Sequence, residues 1–133
     1  MPASGSSARL LSGLLLAVGA AHFAAPRQFD AMVPRALPGS PRMWTQVSGL
    51  AEIAVGAAIA VPRTRRAGAL AAAGLFVAVF PANVKMAYDW RHRPAPLRAA
   101  ALARLPLQAP LVLWALRVHR TDGPARGTAR SAA

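Results

Sequence analysis

Formal charges along this chain fall into blocks separated by long apolar stretches. Residues 10–26, 67–84 and 105–116 carry none, and residues 43–62 carry a single one, Glu52. A soluble amphipathic helix returns a polar residue to its solvent face about every turn, so its charges interrupt runs of this length. A hydrocarbon layer about 30 Å thick selects clustered charges between uncharged runs instead. The pattern predicts an all-α fold, a four-helix transmembrane bundle of up-and-down topology, with helices at about residues 9–25, 44–61, 67–86 and 99–118. The fourth is the most broken, since Arg104 interrupts it and Pro106 and Pro110 fall in its first half. Arg104 is expected to snorkel toward the headgroups.

The connections fit such a bundle. Pro62-Arg63-Thr64-Arg65-Arg66 is short enough to make the second and third helices antiparallel neighbours. The 26–42 segment is punctuated by Pro26, Pro34, Pro38 and Pro41. Its Phe29, Met32, Val33 and Leu37 suggest a short amphipathic strip on the membrane surface. Residues 1–8 and 121–133, rich in Ser, Gly, Ala and Arg, are predicted to be disordered, leaving a single transmembrane domain over residues 9–120. The first apolar run superficially resembles a secretory signal, but His22-Phe23 makes a poor cleavage site and three further apolar runs follow. Trp44, Tyr88 and Trp90 mark one interface and Trp114 the other.

Composition sharpens this picture. Sixteen basic residues, all Arg but Lys85, oppose four acidic ones, giving a formal charge of +12. Such a balance suits nucleic acid or an anionic membrane surface. The 55% apolar content and the uncharged windows favour the lipid bilayer as partner and no nucleic acid. With four helices the basic residues divide evenly between the two sides, so the positive-inside rule gives a tie. The dense Arg63, Arg65, Arg66 turn, read as a topology anchor, tips the expectation to both termini inside. The absence of Cys excludes disulfides and intrinsic thiol chemistry. No metal site and no catalytic residues are expected, because no pair of His shares a helix face and no nucleophile–base or paired-carboxylate arrangement is present.

The polar residues inside the apolar runs are therefore the candidate chemistry. A carboxylate isolated like Glu52 needs a partner, a proton or a function. It shares a helix face with Ser48, Gly49 and Gly56, small residues that let another helix approach and are assigned to helix packing. His22, Asn83 and Gln108 lie one on each of the other helices, and with Glu52 form a candidate intramembrane polar cluster. Their depths differ, since Glu52 is mid-span whereas His22 and Asn83 sit toward one interface, about a turn or two away. Three readings are open for the cluster: interhelical hydrogen bonds that fix packing, a proton- or solute-handling path, or a contact to a second subunit.

Several strings, taken in order, resemble small DoxX-like membrane proteins. They are His22-Phe23 with Pro26, Phe29, Val33-Pro34 and Leu37-Pro38, then Ser48-Gly49-x-x-Glu52-Ile53-x-x-Gly56, then the 62–66 turn. Phe80-Pro81-Ala82-Asn83-Val84-x-Met86-Ala87 and Arg104-Leu105-Pro106-Leu107-Gln108 with Trp114-Ala115 complete the series. The resemblance spans about residues 10–120. It implies a multi-pass protein of the bacterial cytoplasmic membrane, an accessory or redox-associated subunit without its own catalytic site, placed near quinone chemistry and a redox partner protein. No cofactor of its own is expected. The alternative is a small oligomeric transporter or proton-coupled carrier that uses Glu52, in which a homo-oligomer supplies the path that four short helices lack.

Overall fold

The computed structural model describes residues 2–121, with side chains from residue 5, and is helical almost throughout. α1 spans Pro2–Ala24, α2 is the short Pro26–Asp30, α3 spans Pro41–Ala60, α4 Arg65–Asp89 and α5 Ala95–Thr121. α1 and α3–α5 are each long and apolar enough to cross a membrane. Only 17–33% of each apolar window is buried inside the protein. Leu10, Val47, Leu50, Val77, Leu102 and Leu113 are each more than half exposed. An outer surface of this kind is at rest in hydrocarbon rather than water.

The helices outrun the uncharged windows because local chemistry, not charge, sets their ends. Ser40 is the N-cap of α3, its side chain accepting from Met43 N at 3.2 Å, with Pro41 in the first turn. Val61, preceding Pro62, adopts φ −86° and ψ 120° and stops that helix. The carbonyls left open there are capped from the turn. Thr64 Oγ1 donates to Ala58 O at 2.6 Å, and Arg65 Nε donates to Ile59 O at 2.9 Å. Arg63 and Arg66 are exposed, whereas Arg65 folds back onto the end of α3.

The expected disorder over residues 1–8 is corrected over residues 2–8, which form the opening turns of α1. Ala8 is 1% exposed in the core, and Ser7 Oγ accepts from Trp114 Nε1 of α5 at 2.8 Å, so packing overrides the polar composition. The tail expected over 121–133 lies, beyond Thr121, outside the described residues.

Four helices ring the bundle in the order α1, α3, α4, α5. α1 packs mainly on α3 and α4 on α5; α3 joins α4, and α1 touches α5 least. Glycines set the closest approaches. A Cβ on Gly19 would lie 2.9 Å from Gly49 O, and one on Gly68 would lie 2.9 Å from Ile59 N. Ser12 Oγ donates to Gly56 O at 2.7 Å, tying α1 to α3. The buried apolar cluster of Ala8, Leu11, Leu15, Ile59, Ala69, Ala72, Ala73, Phe76, Ala115 and Val118 occupies the terminal end of the bundle. The opposite end, under the 31–40 loop, is hollow.

Candidate functional site

The hollow end is a cavity of about 600 Å³, within the range of small-molecule sites. All five helices contribute to its wall. His22 comes from α1, Phe29 from α2, Thr45, Ser48 and Glu52 from α3, Asn83 and Lys85 from α4, and Arg104 from α5. Apolar side chains make the rest. Phe29, Met32, Val33 and Leu37, expected as a strip on the membrane surface, also line this space, while Met32 and Leu37 stay 40% and 37% exposed. Trp44 Nε1 donates to Pro38 O at 2.6 Å and pins the loop across the opening, next to Gly39 at φ 85°.

His22 reaches Glu52. The antiparallel register that lays Gly19 on Gly49 also sets residue 22 opposite residues 49–52, closing the depth offset the sequence suggested. His22 Nδ1 lies 3.3 Å from Glu52 Oε2, but its hydrogen is directed to Val18 O, 2.7 Å away. A carbonyl can only accept, so Nδ1 carries the hydrogen. One N–H cannot align on both oxygens, and Glu52 Oε2 is left buried with no hydrogen-bond donor. The His22 ring is stacked on Phe29 with centroids 3.8 Å apart, which fixes its plane.

Asn83 and Gln108 form a second polar group across the cavity. Asn83 Nδ2 donates to Gln108 Oε1 at 3.3 Å, and Arg104 Nη1 donates to the same oxygen at 2.8 Å. Gln108 Nε2 donates to Phe76 O. Pro81 has no N–H for the carbonyl one turn before it, so α4 is locally short of a donor here, and the glutamine enters beside that break. Arg104 therefore turns along its own helix onto Gln108 instead of reaching for headgroups. The four candidate polar residues thus divide into two pairs, His22–Glu52 and Asn83–Gln108. Of the assigned packing residues, Gly49 and Gly56 lie against α1, whereas Ser48 lines the cavity.

Thr45 was not singled out by sequence reasoning. It lies 1% exposed on the cavity wall, and its Oγ1 has no well-formed hydrogen bond. The signal for it exists, because Thr45, Ser48 and Glu52 at i, i+3 and i+7 share one helix face. The Thr45 hydroxyl stands beside the Asp30 carboxyl outside the spanning segments and, with Arg42 Nε at 2.9 Å from Oδ2, holds that carboxyl below its ordinary value. The approach stops short of an aligned bond, since Asp30 Oδ1 is also buried without one.

No curated protein and no solved structure matches the chain. A family model described as Domain of unknown function (DUF8561) matches residues 11–119, from the first spanning helix almost to the end of the last, and the chain belongs to that family.

Proposed function

We propose that this protein is an accessory, redox-associated subunit of the bacterial cytoplasmic membrane that holds a small lipophilic molecule in the cavity of its open end. The observation that carries this reading is the cavity itself: mainly apolar walls with a few convergent polar groups, His22, Glu52, Asn83 and Arg104, drawn from four helices. The resemblance to DoxX-like proteins supplies the class of molecule, a quinone in either redox state, and the presence of a redox partner protein. Both termini lie on the cytoplasmic side in this reading, with the Arg63–Arg66 turn beside them.

The test has two arms. Protein reconstituted in lipid nanodiscs is expected to bind a short-chain quinone saturably, at one molecule per chain. Gentle detergent extraction is expected to bring down a stoichiometric redox partner. Absence of saturable binding removes the reading. Self-association alone, with proton flux into liposomes that disappears in Glu52→Gln, replaces it with the oligomeric carrier, which the His22–Glu52 contact at the cavity wall would serve.

A further inference from the structure

We infer that the cavity grips its guest by an uncharged hydrogen-bond acceptor, a carbonyl oxygen, and that Arg104 is the residue that donates to it. The inference rests on the reading of the cavity as a binding site and adds the chemistry of the guest's polar end.

The partners that Arg104 lacks carry it. A cation inside a spanning helix is costly and is kept where it meets carboxylates, carbonyls or a substrate. Arg104 lies half-buried in the fourth spanning helix, α5, and lines the cavity. Of the acidic side chains among the described residues, Asp30 pairs with Arg42, Asp89 with Lys85, and Glu52 stands against His22. None of them pairs with Arg104. A guanidinium carries N–H donors on each of its nitrogens, and Arg104 places one, from Nη1, on Gln108 Oε1 at 2.8 Å. Its Nε and Nη2 have no acceptor among the described residues. These nitrogens are not sealed away, since the buried side-chain atoms without a partner are oxygens of Asp30, Thr45 and Glu52.

Neighbouring side chains share the surplus. Asn83 Nδ2 gives one hydrogen to the same Gln108 oxygen and keeps the other, and Lys85 Nζ gives one to Asp89 Oδ1 and keeps the rest. The wall built by α4 and α5 thus holds more donors than the protein supplies acceptors for, and a guest meets it with an acceptor. Arg104 outranks Asn83 there, because a bond from a charged donor is roughly twice as strong as a neutral one. Charge selects the kind of acceptor. Lys85 is matched by Asp89, and Glu52 lines the same cavity as Arg104, so a guest of either sign adds unbalanced charge. A carbonyl oxygen accepts from Arg104 and adds none. The apolar body of the guest has its place against Val18, Phe29, Val33 and Val79 on the same lining.

Three matched probes test this with the full chain in nanodiscs at neutral pH, their binding corrected for partition into protein-free discs. They are para-hexylacetophenone, its methylene isostere para-hexyl-α-methylstyrene, and para-hexylbenzoate. The ketone is expected to bind about tenfold tighter than the isostere or the benzoate, and its infrared carbonyl stretch to move to lower wavenumber on binding. Arg104→Met is expected to erase both the preference and the infrared shift while leaving isostere binding within about twofold, the mark of an intact cavity. Arg104→Lys, which keeps the charge and a donor, is expected to retain a preference of about threefold. Equal binding of ketone and isostere, tighter binding of the benzoate, or a preference and shift that survive in Arg104→Met overturns the assignment to Arg104 and a carbonyl alone. Failure of all three probes to bind overturns the binding-site reading with it.

Discussion

Around Leu11, Ile59, Ala72 and Ala115 the four long helices press together over small side chains, whereas around His22, Thr45 and Glu52 the same helices part about a cavity of about 600 Å³. The closed end uses glycine and alanine to bring backbones within contact, which is how helices associate when lipid tails remove any hydrophobic drive between them. The open end gathers the polar atoms, and all three buried side-chain oxygens without partners among the described residues belong to it. Close apolar packing and unpartnered buried oxygens thus sit at opposite ends of one bundle. A site that leaves polar atoms unmet costs free energy, and the closed end offsets that cost.

The comparison breaks first at Gly68. A side chain there meets Ala58 Cβ, Ile59 N and Ala58 C at 2.9–3.0 Å, and two of these are backbone atoms that cannot rotate away. Gly68→Leu is expected to destabilise the fold by about 1–3 kcal/mol, measured as a lowered unfolding midpoint in mild detergent. A midpoint equal to that of the parent protein would show that the closed end is looser than described.

Gln108 joins the two ends, and its effect is expected to be intermediate. Gln108→Leu removes the bonds to Phe76 O, Asn83 and Arg104, at a cost of about 1 kcal/mol, the scale of interhelical hydrogen bonds in membranes. The same unfolding assay reads it, and the outcome that counts against the assignment is a loss as large as that of Gly68→Leu.

A smaller effect is expected from Asp30 at the roof, and it depends on pH. Its carboxyl titrates below its ordinary value in the folded protein, so ionisation contributes stability that is present above about pH 4, the unfolded value. That contribution is lost as pH falls through the lower folded value. Asp30→Asn is therefore expected to have a lower midpoint than the parent at neutral pH and to converge with it in acid. Parallel pH profiles for the two proteins would contradict this.

Glu52 is expected to show the smallest effect of all. Its Oε2 receives no donor, so Glu52→Leu exchanges an unmet polar group for an apolar one of similar length, a change that is near neutral or stabilising. A midpoint that falls by as much as that of Gly68→Leu would make Glu52 a structural residue and erase the division between the two ends.

Much of the bundle is legible in the charge-free windows, because a bilayer constrains composition over whole helices. Helix ends are less legible, since capping by Ser40 and Arg65 and the contact of Trp114 with Ser7 are local or long-range bonds that hydropathy averages away. Glu52, His22, Asn83 and Gln108 stand out because each is polar in an apolar run. Their pairing does not, because it follows from a helix register set by glycines. The cavity is illegible for a further reason: it forms where packing stops, and a sequence records packing partners rather than gaps. That Phe29, Met32, Val33 and Leu37 line this space belongs to the same class.

The Trp44 indole that latches the loop to Pro38 has an optical consequence. Trp90 and Trp114 lie away from the cavity lining, which includes Trp44 alone among the three tryptophans. In a Trp90→Phe, Trp114→Phe background every photon emitted by indole reports on the mouth of the cavity. Occupancy would dry that ring and move its emission to shorter wavelength, while rupture of the latch would move it the other way. The protein carries its own gauge, able to separate a filled cavity from an opened one without any label.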